Sequence, residues 1–122
     1  MAIKVVYCLT RKEGMSRDAF QAYWLGCHAD KVKDRAEQIG MIRYVQNHSY
    51  DTPMNASMAA ARGGLSGYDG VMEGWWEDEE LAMAALTTPE GLQAMAELLD
   101  DEGVFIDFAR SPIFMTREHV IY

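Results

Sequence analysis

The stretch Tyr23-Trp24-Leu25-Gly26-Cys27-His28 separates two helical stripes that do not align, and it therefore decides how the first half of the chain packs. Apolar residues before the break recur at the i, i+3, i+4, i+7 spacing of one helical face: Phe20, Tyr23, Trp24 and Cys27. A second stripe follows the break and is rotated from the first by well over a quarter turn: Ala29, Val32, Ala36 and Ile39.

A single uninterrupted helix would place Lys31 in the middle of the first stripe, where a buried charge is costly without a partner. The sequence therefore predicts that the helix kinks or restarts near Gly26, because glycine tolerates unusual backbone dihedral angles. His28 lies where the two halves diverge and titrates near neutral pH, which makes it the first candidate for proton transfer. The competing interpretation is that His28 only caps or packs the second half of the helix.

Composition narrows the class of protein. The 122 residues match the size of one domain, here 1–122, and 49% hydrophobic with 25% charged residues is typical of a globular chain. The net charge of -8, with scattered basic residues, argues against nucleic acid and anionic membrane as partners. Without an apolar run long enough to span a bilayer, and with a strand-like start, the chain is predicted to be cytoplasmic.

Cys8 and Cys27 are expected to be reduced, and no metal site is expected from three histidines without CxxC or HExxH spacing.

Local patterns predict four strands separated by helices. The strands are expected at 3–10, 41–50, 69–77 and 111–121. Ser16 is the predicted N-cap and Gly40 the end of the first helical region, and Thr88-Pro89 starts a last helix with a core-packed stripe: Leu92, Met95, Ala96 and Leu99. The connection 51–68, with a short helix at 55–62, is of a length that is usually functional or mobile.

The order strand, helix, strand, strand, helix, strand predicts an α+β fold, the ferredoxin-like βαββαβ arrangement with an antiparallel sheet. Helices cover one face of such a sheet. Aromatic residues and methionines occur on both predicted faces of the second, third and fourth strands, which indicates that the other face is buried as well. We therefore expect dimerisation through the sheet.

Several segments together resemble an EthD-type domain over nearly the whole chain. They are the Tyr23-Trp24 pair with His28, the strand 41–48, the strand 68–76 and the tail 116–121. The resemblance implies a dimeric α+β barrel with a pocket in each subunit between helices and sheet. Members of this family are associated with bacterial ether degradation, with small polyketide dehydratases and cyclases and, in a similar branch, with methylmuconolactone methylisomerases.

Those activities use no metal or organic cofactor, so the resemblance implies that none is needed here. Residue by residue, His28 matches the histidine of the family's first helix, and Tyr44 matches a tyrosine of the isomerase-like branch. Gly74 stands where that branch carries a cysteine, which puts methylisomerase chemistry itself in doubt. Fold-level analogy does not choose among the remaining reactions.

The candidate catalytic residues are His28, Tyr44 and Glu73. The imidazole of His28 is expected to act as general base next to a carbonyl, and the Tyr44 hydroxyl to donate a hydrogen bond to the developing enolate. Glu73 shares a strand face with apolar residues, which would raise its pKa and suit it as an acid. The alternative for Glu73 is an ion pair with Arg43 or Arg117.

The side chains that are predicted to line the cavity suit a flat hydrophobic or aromatic ligand. Plain core packing is the alternative for its aromatic members and is favoured for Phe20, while His48 could equally lie in solvent at a strand end. His119, near the end of the chain, is expected at the dimer interface. The predicted substrate-binding residues are Tyr7, Trp24, Gln46, His48 and Trp75.

Three functions follow from these residues. The leading one is a cofactor-independent lyase, dehydratase, cyclase or isomerase acting on a small aromatic or cyclic ketone-like metabolite, with His28 central. The second is a monooxygenase of the same barrel type that oxidises a phenol without an added cofactor. The third is a non-catalytic protein that binds or delivers a hydrophobic metabolite.

Overall fold

A four-stranded antiparallel sheet forms the centre of the protein in a computed structural model that describes residues 1–122. The strands lie in the order β2-β3-β1-β4, so the two strands in the middle are the third and the first along the chain. This topology confirms the predicted ferredoxin-like fold. The strand bounds are Ile3–Leu9 (β1), Arg43–His48 (β2), Gly70–Trp76 (β3) and Ile113–Thr116 (β4).

The helices begin and end largely at the predicted caps. The Ser16 side chain accepts a hydrogen bond from the Ala19 amide, and Gly40 ends the second helix in the left-handed region at φ 72°. None of the helices is both long and apolar enough to cross a membrane. Their bounds are Arg17–Tyr23 (α1), Ala29–Ile39 (α2), Pro53–Arg62 (α3), Glu79–Leu86 (α4) and Pro89–Phe105 (α5).

The core lies between the helices and one face of the sheet. Successive side chains of a strand point to opposite faces, so every second residue of β1 is buried against the helices. The largest cluster there is aromatic, and in it Phe20 and Phe105 have ring centroids 5.5 Å apart. Its buried members are Tyr7, Leu9, Phe20, Trp24, Phe105 and Ile106.

The interruption in the first helix is a π-helical turn, Trp24–His28, that joins α1 to α2. The residues at its ends keep right-handed helical angles, and the Ala29 amide donates to the Trp24 carbonyl five residues back. The interruption predicted near Gly26 is therefore present, but it is one wide turn that changes the register, and the helical backbone continues through it. The first stripe also ends differently, since His28 is buried and Cys27 is exposed.

This turn explains a run of buried residues at a spacing of four: Phe20, Trp24, His28 and Val32. In a regular helix, each step of four residues drifts by about 40° around the axis, so such a run would leave the core. The wider π-helical turn absorbs that drift. It keeps both Trp24 and His28 on the side of the sheet, and it leaves Lys31 at the surface of the helix layer with its charge partnered.

Glycine is not needed at the break, and this can be tested. A Cβ atom added at Gly26 would meet no heavy atom within 4 Å, and Gly26 has no positive φ. Gly26→Ala should therefore raise the free energy of unfolding by about 0.5 to 1 kcal/mol in a urea titration. Gly70→Ala should lower it by about 1 to 3 kcal/mol, since a Cβ at Gly70 would overlap the indole ring of Trp24. A Gly26→Ala protein that is clearly destabilised would contradict this account.

Two local predictions differ from the structure. In α5 the residues Leu92 and Leu99 are more than half exposed and Met95 is 40% exposed, and the buried stripe is instead Gly91, Ala94, Leu98, Asp101 and Phe105. The small residues Gly91 and Ala94 let this helix approach its neighbours closely, so a different face of α5 from the predicted one packs against the core. The last strand is also shorter than predicted, since β4 ends at Thr116 and the tail continues without strand structure.

Candidate active site

A cavity of about 310 Å³ lies between the helices and the sheet. Sixteen of its eighteen lining residues are apolar or aromatic, and the other two are His28 and Glu102. The volume is at the small end of the range for ligand pockets, and a few polar groups in an apolar wall are typical of such sites. The wall also includes three side chains named from the sequence: Tyr7, Trp24 and Tyr44.

His28 enters this cavity from the π-helical turn and is held from behind by α5. Its Nδ1 lies 2.7 Å from Oδ2 of Asp101, and both side chains are buried. Since Asp101 can only accept when ionised, Nδ1 carries the proton in this pair. That leaves Nε2 as the ring nitrogen with a free lone pair. Burial lowers the pKa of His28 and outweighs the opposing effect of Asp101, so the imidazole is neutral at neutral pH.

Asp101 remains ionised because three donors converge on it. Its Oδ1 accepts hydrogen bonds from the Tyr23 hydroxyl at 2.5 Å and from the Lys31 ammonium at 2.8 Å, while Oδ2 faces His28. Burial by itself would raise the pKa of Asp101, but these hydrogen bonds outweigh it and hold the pKa at about 2. A fixed carboxylate behind an imidazole both orients the ring and stabilises its protonated form.

Glu102 follows Asp101 in the chain but points into the cavity instead of into the helix interface. Burial, the largest cause, and the nearby charge of Asp101 raise the pKa of Glu102 to about 7, although the Tyr7 hydroxyl opposes the shift. Burial, and then the contact with Glu102, raise the pKa of Tyr7. The cavity thus holds a neutral base and a carboxyl that titrates near neutral pH.

Tyr44 lines the cavity from β2 and is oriented by its neighbours. The Gln46 amide donates to the Tyr44 hydroxyl at 2.9 Å and to the Trp24 carbonyl at 2.9 Å. Because the Tyr44 oxygen accepts from Gln46, its own hydrogen is free to donate elsewhere. Burial raises the pKa of Tyr44, so it is a neutral donor at physiological pH.

His48 completes that support. It lies 2.8 Å from the Gln46 oxygen and stacks on Trp24 with ring centroids 4.5 Å apart. Gln46 and His48 do not line the cavity but hold Tyr44 and Trp24 from the side. Their predicted place as substrate contacts is therefore corrected to one of support, and His48 is neither in the cavity nor free in solvent.

Glu73 and Trp75 lie on the opposite face of the sheet from the cavity. Glu73 pairs with Lys4 at 2.8 Å, and this hydrogen bond lowers its pKa instead of raising it. Trp75 donates to Glu118 at 2.9 Å and carries the Arg43 guanidinium 4.5 Å above its ring. The placement of Glu73 and Trp75 with His28 is thus wrong, because the strand face that they share is the one that the helices do not cover. The ion-pair alternative holds for Glu73, although with Lys4 as its partner.

The structure thus brings together four of the residues named from the sequence, Tyr7, Trp24, His28 and Tyr44, and adds Asp101 and Glu102. A signal for Asp101 exists in the sequence, since it continues the spacing of Ala94 and Leu98 on a helical face. A carboxylate in an otherwise buried stripe needs a buried partner. Glu102 carries no comparable signal, because its position depends on how α5 packs.

Other regions contribute no comparable site. The segment between β2 and β3 contains α3, which has no buried residue and lines a separate open groove with Arg17 and Asp51. No group of three or more His, Cys, Asp or Glu side chains is arranged to hold a metal ion. Gly74 lies on the cavity side of β3, where a Cβ would come 2.7 Å from the end of the Met41 side chain.

Comparisons with known proteins give a family match and several proteins of similar fold. A family model described as the EthD domain matches residues 12–109. An EthD family protein from Bacillus halodurans is 18% identical, with 98% of this chain and 100% of that chain covered and a TM-score of 0.64. SnoaB, a cofactor-independent oxygenase from Streptomyces nogalater, is 16% identical over 98% of this chain and 96% of that chain, with a TM-score of 0.55.

A dimeric protein with a ferredoxin-like fold from Bacteroides fragilis is 5% identical over 96% of both chains, with a TM-score of 0.58. No curated protein matches the chain. At these identities the structural likeness shows a shared fold, and the family match extends over most of the chain.

Proposed function

Since the chain belongs to the EthD domain family, we propose that it is a cofactor-independent enzyme that transfers a proton on a small aromatic or cyclic ketone-like compound bound beside His28. The reaction class is that of a lyase, dehydratase, cyclase or isomerase. One observation carries the proposal: the 2.7 Å contact between Nδ1 of His28 and Asp101 leaves Nε2 as the available base in an apolar cavity.

The proposed step begins with removal of a proton from the carbon next to the ligand carbonyl by Nε2 of His28. The electron pair of the broken C–H bond moves to the carbonyl oxygen and forms an enolate. The Tyr44 hydroxyl donates a hydrogen bond to that oxygen, and Asp101 stabilises the imidazolium that forms. Return of the proton to another atom gives isomerisation, while loss of a leaving group or attack on a second carbonyl gives elimination or ring closure.

The experiment uses probe ketones, because proton removal can be observed without the natural substrate. The protein is mixed with 2-indanone, 1-indanone and 2-tetralone in D2O, and replacement of the α-protons by deuterium is followed by NMR. We expect at least one ketone to exchange faster than in buffer at the same pH, with no change on removal of oxygen. Exchange at the buffer rate for all three ketones would contradict the proposal.

A second candidate is cofactor-free oxygenation of a phenol, and its support is the oxygenase name of the SnoaB neighbour. The two functions separate by oxygen consumption, since proton transfer needs none. Tight binding of the probe ketones without exchange or oxygen uptake would instead favour the third function, a protein that carries a hydrophobic metabolite.

The proposed assembly is a homodimer joined through the sheet face opposite the helices. This face carries the half-exposed Phe114 and the Lys4–Glu73 pair, and a dimeric neighbour with the same fold supports the arrangement. Light scattering on a size-exclusion column should give twice the chain mass of 13.8 kDa. A mass equal to one chain at high micromolar concentration would contradict it.

A further inference from the structure

The cavity contains no cationic side chain. Its only ionisable lining residues are His28, Glu102 and the tyrosines Tyr7 and Tyr44. His28 is neutral at neutral pH because burial lowers its pKa. A ligand with a carboxylate or phosphate would therefore enter an apolar space without a counter-charge, and burying an unpaired charge is strongly unfavourable.

Glu102 further disfavours negatively charged ligands, because no cationic side chain neutralises it. It forms none of the ion pairs in the protein. The groups that face it are Tyr7 from β1, Tyr44 from β2, His28 from the π-helical turn and the ionised Asp101 on its own helix. Two ammonium groups near this part of α5 are engaged elsewhere: that of Lys31 pairs with Asp101 at 2.8 Å, and that of Lys12 donates to the Gly103 carbonyl at 2.6 Å.

A carboxyl in these surroundings keeps its proton up to near neutral pH, since burial raises its pKa to about 7, and a protonated carboxyl has one O–H donor. When it ionises, it loses that donor and places a second negative charge beside Asp101. The protonation state of Glu102 thus decides whether the cavity wall donates to a ligand oxygen or repels it.

We propose that protonated Glu102 donates a hydrogen bond to a carbonyl or hydroxyl oxygen of the ligand, and that the cavity therefore accepts uncharged ligands and rejects carboxylates and phosphates. The inference rests on the proposed function only in taking the His28 cavity as the ligand site. It names the substrate class as neutral oxygen-bearing compounds, and it does not depend on whether His28 performs catalysis.

The test is a binding measurement with two probes of matched shape. 2-Acetonaphthone is an uncharged aromatic ketone, and 2-naphthoate carries a carboxylate on the same ring system. Binding is measured by equilibrium dialysis at pH 6.5 and at pH 8.5. Because the pKa of Glu102 is about 7, its protonated fraction falls about 25-fold over this interval, and the affinity for 2-acetonaphthone should fall by up to the same factor.

Two variants connect the change to Glu102. Glu102→Gln keeps a donor but cannot ionise, so it should bind 2-acetonaphthone equally at both pH values. Glu97→Gln lies on the exposed side of the same helix, near Arg35, and should keep the wild-type pH dependence. Binding of 2-naphthoate should be at least tenfold weaker than that of the ketone at pH 6.5.

Three results would overturn the inference. They are binding of 2-naphthoate as tight as that of the ketone, a pH dependence that survives in Glu102→Gln, and no detectable binding of the ketone at pH 6.5. Each can occur while deuterium exchange still depends on His28, so failure here is distinguishable from failure of the proposed function.

Discussion

Replacement of His28 by alanine is expected to lower the protein-dependent rate of α-proton exchange by about 10² to 10⁴-fold, the usual contribution of a positioned general base. The reason is that Nε2 of His28 is the base that the Asp101 contact orients, and no other histidine lines the cavity. Burial lowers the pKa of His28 from its ordinary value of 6.5, so the wild-type rate should stay high below pH 6.5 before it falls. Exchange is measured by NMR with whichever probe ketone the wild-type protein accelerates.

Folding must be followed in the same preparation. Asp101 keeps its hydrogen bonds to Tyr23 and Lys31 when His28 is removed, so the loss of stability should stay near 1 to 3 kcal/mol. His28→Gln fills more of the space and serves as a second variant. His119→Ala, in the exposed tail, is the matched control and should exchange at the wild-type rate. A His28→Ala protein that is folded and fully active would exclude His28 as the base.

Asp101→Asn is expected to reduce exchange by a similar factor, about 10² to 10⁴-fold, without removing any side-chain atom from the cavity wall. Lys31 and Tyr23 both donate to the same carboxylate oxygen, so the amide oxygen of the asparagine should take that position. Its NH2 group then points at Nδ1 of His28. The imidazole must accept there, which moves its proton to Nε2 and removes the base from the cavity.

The tautomer change separates this effect from a general loss of structure. ¹⁵N NMR of the histidine ring should show a protonated Nδ1 in the wild-type protein and a protonated Nε2 in Asp101→Asn. Asp100→Asn, the exposed neighbour on the same helix, is the control and should change neither the tautomer nor the rate. If the tautomer changes but the rate does not, Asp101 has no positioning role in proton transfer.

The same variant should change the response to acid. The pKa of Asp101 is depressed in the folded protein from 3.8 to about 2, so the ionised form contributes stability that is present above pH 3.8 and is lost as the pH falls to about 2. The depression corresponds to about 2 kcal/mol. Urea titrations of Asp101→Asn should lack this part of the acid-induced loss.

Much of the fold could be predicted because its signals are local. The Ser16 and Gly40 caps, the start of α5 at Thr88-Pro89 and the alternation of β1 each depend on a few neighbouring residues. In α5, packing overrides the local pattern. The apolar residues Leu92 and Leu99 suggested a buried stripe, whereas close helix packing selected Gly91, Ala94 and Leu98 instead.

The candidate site likewise contains residues that could be predicted from the sequence and residues that could not. His28 and Tyr44 could be named from the sequence because a register break and a family resemblance marked them. Strand alternation groups Glu73 with Val71 and Trp75, but it does not show which side of the sheet the helices cover. Asp101 and Glu102 adjoin in sequence, yet one faces the helix interface and the other faces the cavity.

The sequence by itself determined the order of strands and helices, the break in helical register near Gly26 and the choice of His28 as first candidate, since periodicity and caps act over a few residues. Only the tertiary structure decided that the break is a π-helical turn and that His28 meets a carboxylate 73 residues away. The physical reason is that a buried polar group is stable only with a partner, and that partner is supplied by the packing of α5 against the π-helical turn and α2.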